Sequence, residues 1–465
     1  MSAPFPSALP IAVVGAGPIG LAAAAHLVGR GMPVKVYEAG SIVGENIRDW
    51  GHVRLFTPWR YCVDAEAVRL LARHGWQMPD GEMVPTGHEL VSRYLEPLAA
   101  TPALSAIIET RTRVTAIARH GIDKVVSRGR DGRPFVLVVE TPEGERRDLA
   151  RAVIDASGTW ASPNPLGADG IAATGEAAFA ERIAYGIPDV LGRDRPLYAG
   201  RTTLVVGAGH SAANVLLDLD RLSREAPETA IVWATRGANL ARVFGGGAAD
   251  ELPSRADLGT RTRRLIEHGR IRLVAGFAIR HVREEAGRLL VEGETADGPQ
   301  ALPPVDRIVV CTGQRPDLAI TRELRLELDP GLECARRLGP AIDPNLHSCG
   351  SVPPHGHREL SHPEKGFYTV GVKSYGRAPT FLLLTGYEQA RSVAAALSGD
   401  LAAADDVRLV LPETGVCTTQ IADGPPVADG PSRASCCGGP ETDDAPRIVE
   451  SADTACCARD RCCAA

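Results

Sequence analysis

One arrangement constrains this chain more than any other, and it occurs twice. Ile11-Ala-Val-Val14 has the pattern of a short, fully buried strand. It runs straight into Gly15-Ala-Gly17-Pro-Ile-Gly20 and a helical stretch, Leu21 to Val28. Val34-Lys-Val-Tyr-Glu38 reads as the next strand. The second copy starts at Thr203-Leu-Val-Val206 and passes through Gly207-Ala-Gly209-His-Ser-Ala212 into a helix ending near Leu222. The strand Ala230-Ile-Val-Trp-Ala-Thr235 follows. Strand, glycine loop and helix in that order open a βαβ unit that can hold a pyrophosphate. Two openings predict two nucleotide-binding domains.

Each glycine has a separate task. Gly15 permits the tight turn, Gly17 lets a pyrophosphate approach the backbone, and Gly20 allows close helix–strand packing. The phosphates then sit at the helix N-terminus, beside Pro18 and Ile19, where free N–H groups favour negative charge. Glu38 closes the second strand, where its carboxylate can accept hydrogen bonds from ribose hydroxyls. A glycine turn that merely packs is the plain alternative; the strand, helix and acid at this spacing favour a binding site. The second loop ends in Ala212, a permitted variant. No acid closes its second strand. Arg236 stands there, either to pair with a 2′-phosphate, which favours NADPH over NADH, or as a solvated loop residue. His210 and Ser211 either touch phosphate or cap the helix.

Between the loops, residues 107–155 alternate in a strand-rich way, with hairpin signals at Arg130-Asp-Gly132 and Pro142-Glu-Gly144. The stretch ends at Val153-Ile-Asp-Ala-Ser-Gly158, and a similar ending returns at Ile308-Val-Val-Cys-Thr-Gly313. Residues 366–398 read as a strand from Phe367 to Val372, a loop and a helix. The expected fold is therefore α/β with two Rossmann-like dinucleotide-binding domains. The first covers residues 1–165 and resumes over 305–400; the second covers 166–304. Residues 412–465 read as a flexible tail, because Pro, Gly, Asp, Ser and Ala dominate and no periodicity persists.

Fifty-one basic residues against 57 acidic ones, a net −6, argue against nucleic acid or an anionic membrane as the main partner. No apolar run approaches the ~20 residues that span a bilayer. Met1-Ser-Ala-Pro-Phe-Pro lacks the basic start of a signal peptide, so a cytoplasmic location is expected. Lysine occurs only at Lys35, Lys124, Lys365 and Lys373; all other basic residues are arginine, which suggests a GC-rich bacterial source.

With Asp155-Ala-Ser-Gly158 and Cys311-Thr-Gly313-Gln-Arg-Pro316 as returning segments, the two loops resemble the flavin monooxygenase-like and pyridine nucleotide oxidoreductase superfamily over residues 10 to about 400. The resemblance implies FAD on the first loop, a nicotinamide cofactor on the second, and hydride transfer between them. It implies cofactor contacts at Gly158, Thr312 and Gly313, where the chain crosses between domains. It implies another at Gly371, in a segment resembling the late strand that reaches the flavin, although Val372 stands where the family usually has Asp. Arg54-Leu-Phe-Thr57-Pro58-Trp59 resembles the segment over the flavin, with Phe56 replacing Asn, and makes Arg54 and Thr57 the catalytic candidates. Trp50, His52, Arg54 and Trp59 form either a wall of that site or ordinary packing. Lys373-Ser-Tyr-Gly-Arg377 either meets the flavin or an anionic substrate, or is a solvated loop.

Disulfide reductases of this superfamily carry a cysteine pair against the flavin. Gly44 to Gly51, where one type of pair falls, has no cysteine, and Cys62 stands alone, so an in-core dithiol relay is not expected. The Phe-x-Gly and His marks of monooxygenases are replaced by Gly186-Ile-Pro-Asp189. Monooxygenase, oxidase and direct reductase all stay open.

Seven of the 11 cysteines follow Pro412, six of them as the adjacent pairs Cys436-Cys437, Cys456-Cys457 and Cys462-Cys463. Adjacent cysteines close only a strained ring on oxidation and so persist as dithiols. Soft thiolates suit thiophilic ions, and a pair with a third sulfur satisfies a trivalent centre such as As(III). Ser435-Cys-Cys-Gly-Gly439 with its later pairs resembles the C-terminal end of arsenic metallochaperones, which implies metalloid binding by these six thiols. Zinc-type binding, a redox arm and a prenylation box at Cys462-Cys-Ala-Ala465 are the alternatives; the bacterial composition argues against the last. The expected partners are a small-molecule substrate, with a trivalent arsenical as candidate, and a second copy in a homodimer. The expected function is an FAD- and NADPH-dependent oxidoreductase linked to metalloid detoxification. Its rival is a metalloid carrier on a vestigial flavoprotein core.

Overall fold

Short apolar runs buried on both faces suit the inner strands of parallel sheets covered by helices. The computed structural model describes residues 9–245, 250–347 and 352–412, and it contains two such sheets. The first has five parallel strands in the order Phe367–Thr369, Ala152–Asp155, Ile11–Val14, Val34–Tyr37, Ile108–Glu109. The second has the order Arg272–Ala275, Ala230–Thr235, Thr202–Val206, Arg307–Val310, Ile183–Tyr185, also parallel. Two three-stranded antiparallel sheets accompany them, Arg113–Arg119 with Phe135–Thr141 and Gly144–Ala150, and Ala278–Glu285 with Arg288–Thr295 and Gly298–Ala301. The turn before Gly144 closes the hairpin where the sequence placed it. The protein is α/β, with two Rossmann-like domains.

Arg307–Val310 differs from the sequence reading, which set it with the resumed first domain. It pairs in parallel with Thr203–Val206, so it belongs to the second sheet. Its three inner residues are buried beside the equally apolar Leu204–Val206, and nothing in a local apolar run tells which sheet it will join. The chain returns to the first sheet only with Phe367–Thr369. That strand is shorter than expected, because Gly371 takes φ +75° and turns the chain into the 3₁₀ segment Gly371–Tyr375.

Both sheets reverse their strand order beside a glycine loop. In the first, the chain leaves Ile11–Val14 toward Val34–Tyr37 and comes back on the other side with Ala152–Asp155. In the second, Thr202–Val206 lies between Ala230–Thr235 and Arg307–Val310 in the same way. Open α/β sheets bind ligands at such switch points, outside the carboxyl ends of the strands.

A buried charge cluster ties the returning segment down. Glu364, 1% exposed, receives Arg119 Nε at 2.7 Å and Arg130 Nη2 at 2.7 Å. Burial works against its charge, but the two guanidinium groups and the Arg325 N–H outweigh it and hold the carboxyl below its usual range. A depressed folded-state pKa contributes stability that is complete above the ordinary carboxyl range and is lost as pH falls through the depressed value. Glu364→Gln leaves two buried guanidinium groups without their anion, and is expected to cost about 3–5 kcal/mol. Urea unfolding at neutral pH measures it. A variant as stable as the parent would show that the cluster is not structural.

The expected tail, apart from Pro412, lies outside the described residues, and so do its six paired cysteines. No helix among the described residues is long and apolar enough to cross a membrane.

Candidate functional site

At the first loop the three glycines hold three different positions for three different reasons. Gly15 has φ +99°, and a Cβ there would lie 2.7 Å from Ala156 O on the neighbouring strand's exit. At Gly20 a Cβ would lie 1.9 Å from Gly15 O, so no side chain fits. Gly17 is the opposite case. Its φ of −79° suits any residue, and nothing lies within 4 Å of where a Cβ would be. It precedes the helix Pro18–Gly29, whose first N–H groups are left unpaired, with Pro18 at the position where a missing N–H costs nothing. Gly17 therefore borders an open cradle, as close approach of a pyrophosphate requires. Ile19 packs inward, against Gly371 and Gly386.

Glu38 holds the loop from beneath. Its Oε2 accepts from Ala16 N at 2.7 Å and its Oε1 from Gly40 N at 2.8 Å. Burial raises its pKa above the usual carboxyl value, against the pull of those two N–H groups. Each oxygen retains a lone pair for a ribose hydroxyl.

The second loop repeats the design. Gly207 has φ +126°, and its Cβ would lie 2.3 Å from Cys311 O. Gly209 again has nothing within 4 Å, and the helix His210–Glu225 begins behind it. Ala212, where the first loop has Gly20, is fully buried, with its methyl in the apolar cluster of the second domain. Arg236 is exposed at the end of Ala230–Thr235 and gives one guanidinium N–H to Ala168 O at 2.9 Å.

The two Ser/Thr-Gly segments lie against each other. Asn164 Nδ2 donates to Thr312 O at 2.9 Å, Asn164 N to Gly313 O at 2.9 Å, and Thr159 Oγ1 to Gln314 Oε1 at 2.9 Å. Gly158 and Gly313 both take positive φ here.

A cavity of about 670 Å³ opens beside this crossing, within the range of ligand pockets. Its wall brings together Arg54 from the loop after Trp50, His210 and Ser211 from the second glycine loop, and Gly313 from the crossing. Phe56 and His210 meet across it, with ring centroids 5.0 Å apart. The first glycine loop and Thr57 are not on that wall. Thr57, a catalytic candidate from the sequence, is buried, and its hydroxyl lies 3.4 Å from Cys62 Sγ. Trp59 is likewise in the core, 1% exposed. Trp50 does line the cavity, and His52 Nε2 is buried with no hydrogen-bond partner among the described residues. Arg54 is anchored by Nη1 to Val84 O at 2.6 Å.

Sequence reasoning missed Trp160, whose Nε1 donates to Asp49 Oδ2 at 2.8 Å across the cavity wall. Its place two residues after Gly158 was the available signal. Asn214, one helical turn after His210 and bonded to its carbonyl, was the other. The loop after Gly371 is exposed at Val372 and Arg377 and buried at its lysine. Lys373 is 3% exposed and paired with Asp155, while Arg377 pairs with Glu333.

A sequence profile described as pyridine nucleotide-disulphide oxidoreductase matches residues 12–333. The chain belongs to that family. No curated protein matches it. Among solved structures, the bacillithiol disulfide reductase of Bacillus cereus is 17% identical with a TM-score of 0.60; the match covers 84% of this chain and 99% of that one. The FAD-bound cadaverine monooxygenase of Erwinia amylovora is 13% identical with a TM-score of 0.58, covering 89% and 98%. A flavin-containing monooxygenase from Stenotrophomonas maltophilia is 20% identical with a TM-score of 0.51, covering 84% and 98%. At these identities the likeness establishes the fold. Cys62, Cys311 and Cys334 are free and buried, and burial pushes their pKa values up to about 11, 12 and 12. A thiol held in that range supplies little thiolate for disulfide exchange.

Proposed function

We propose that this protein is an FAD-dependent oxidoreductase that takes electrons from NADPH and delivers them to oxygen or a small substrate, in the manner of a flavin monooxygenase. The observation that carries the reading is the pair of open cradles at Gly17 and Gly209, each at a switch point and each at a helix N-terminus. Gly15, Gly17, Pro18, Gly20 and Glu38 would hold FAD, and its flavin would supply hydride acceptance. His210, Ser211 and Arg236 would hold NADPH along the cavity they line or approach. Gly158, Thr312, Gly313 and Gly371 would fix the approach of the two cofactors. Trp50, Phe56 and Trp160 give that cavity apolar walls, and Arg54 gives it a positive charge. The buried core thiols weigh against a dithiol acceptor. The monooxygenases among the solved structures it resembles support oxygen as the electron acceptor, with a small oxidisable molecule as the substrate that receives one oxygen atom while the other leaves as water. Trivalent arsenic is the substrate class we favour, on the strength of the paired cysteines in the tail.

Anaerobic NADPH should bleach the flavin, and readmitted oxygen should restore its colour. Arg236→Ala should raise the NADPH concentration needed by one to two orders of magnitude, about the ~1.5–3 kcal/mol of a charge-assisted hydrogen bond, with NADH use nearly unchanged. Equal losses with both cofactors would leave Arg236 a structural residue. A protein that binds flavin but is not reduced by either cofactor would end the oxidoreductase reading.

A further inference from the structure

We infer that the buried Lys373–Asp155 pair sets the redox balance of the flavin, an inference that rests on the FAD assignment above. Lys373 Nζ lies 2.7 Å from Asp155 Oδ2 and 3.0 Å from Ser157 Oγ. Ser157 also gives Asp155 Oδ1 its N–H at 3.1 Å and its hydroxyl at 2.6 Å. Asp155 is fully buried and Lys373 is 3% exposed.

Burying two ions costs several kcal/mol, and apolar residues of similar volume serve stability as well or better. The place of the pair supplies a reason for it. Asp155 ends one strand of the first sheet, and Lys373 follows the strand beside it, Phe367–Thr369. Both therefore sit at the carboxyl edge, where open α/β sheets bind ligands. Ala156, next to Asp155, closes on Gly15, and Gly371, two residues before Lys373, closes on Ile19. Two of the proposed FAD contacts, Gly158 and Gly371, are within three residues of the pair. The lysine segment is held rigidly. Gln389, fully buried, accepts from Gly371 N at 2.9 Å and donates to Ser374 Oγ at 2.9 Å, while Ser374 Oγ donates to Gly371 O at 2.7 Å. In a chain that uses arginine almost throughout, one of four lysines is fixed here.

A bound flavin that took a hydride from NADPH, two electrons and one proton with NADP⁺ left behind, would gain one negative charge. A nearby ammonium favours that product and a nearby carboxylate disfavours it, more strongly in a buried site than in water. Balanced against each other, the two groups hold the equilibrium at its present position.

The test is reductive titration of the flavin-loaded protein against a reference dye, without nicotinamide. Lys373→Met should move the reduction equilibrium about tenfold toward the oxidised form, ~30 mV for a two-electron couple. Asp155→Asn should move it by a similar amount toward the reduced form. Lys373→Arg and the double variant Lys373→Met/Asp155→Asn should stay near the parent. Opposite signs in the two single variants cannot come from loosened structure, which would shift both the same way. Shifts of the same sign, or an unmoved potential in flavin-loaded Asp155→Asn, would overturn the inference even if Lys373→Met does not fold. A parent protein that binds no FAD overturns the assignment beneath it instead.

Discussion

Gly17→Val should give folded, colourless protein. The glycine's φ and ψ are ordinary, and the space around its missing Cβ is empty, so the apo chain accommodates the valine. The same methyls fill the cradle in front of the helix Pro18–Gly29, where the pyrophosphate needs bare backbone. FAD affinity should fall at least about 100-fold, ~2.7 kcal/mol, while thermal unfolding shifts little beyond the small cost of a β-branched residue before a helix. Gly20→Ala makes the informative contrast. Its Cβ meets Gly15 O at 1.9 Å, so it should lose stability and flavin together. Visible absorbance after purification decides the matter, and stoichiometric flavin in folded Gly17→Val sinks the first-loop assignment.

Removing residues 413–465 should abolish tight As(III) binding and leave flavin content and NADPH reduction intact. Chelation by adjacent thiolates is what makes such an ion bind tightly, and all three adjacent pairs are lost. The four cysteines that remain include no adjacent pair, and three of them, Cys62, Cys311 and Cys334, are buried with raised pKa values. Ending at Pro412 keeps Leu409, which is buried, and Leu411, which packs on the first core. Equilibrium dialysis with arsenite separates the outcomes. Retention of tight binding by the shortened chain would remove the tail from the proposed chemistry, and loss of flavin would mean that it supports the fold.

The two glycine loops were legible because their constraint is local. Turn, cradle and packing contact fall within six consecutive residues, and the flanking strand and helix announce themselves by burial pattern. Glu38 and Arg236 were legible for a related reason, since each closes the strand after its loop. Thr57 was a catalytic candidate on the strength of a short resemblance, and Trp59 was read as either a site wall or ordinary packing. A loop residue can turn either way without changing its sequence neighbourhood, and contact with Cys62 and the core decided their direction.

The sequence by itself determined the α/β class, the two dinucleotide loops and the absence of a core cysteine pair at the first of them. Only the tertiary structure decided which sheet received Arg307–Val310, which loop residues lined the cavity, and where the buried charges found partners. Asp155 and Lys373 are 218 positions apart, and Glu364 and Arg119 are 245 apart. Local propensity acts over a few residues, whereas a buried ion must be neutralised by whatever the completed fold brings within about 3 Å. That neighbour is set by sheet order, and sheet order is a property of the whole chain.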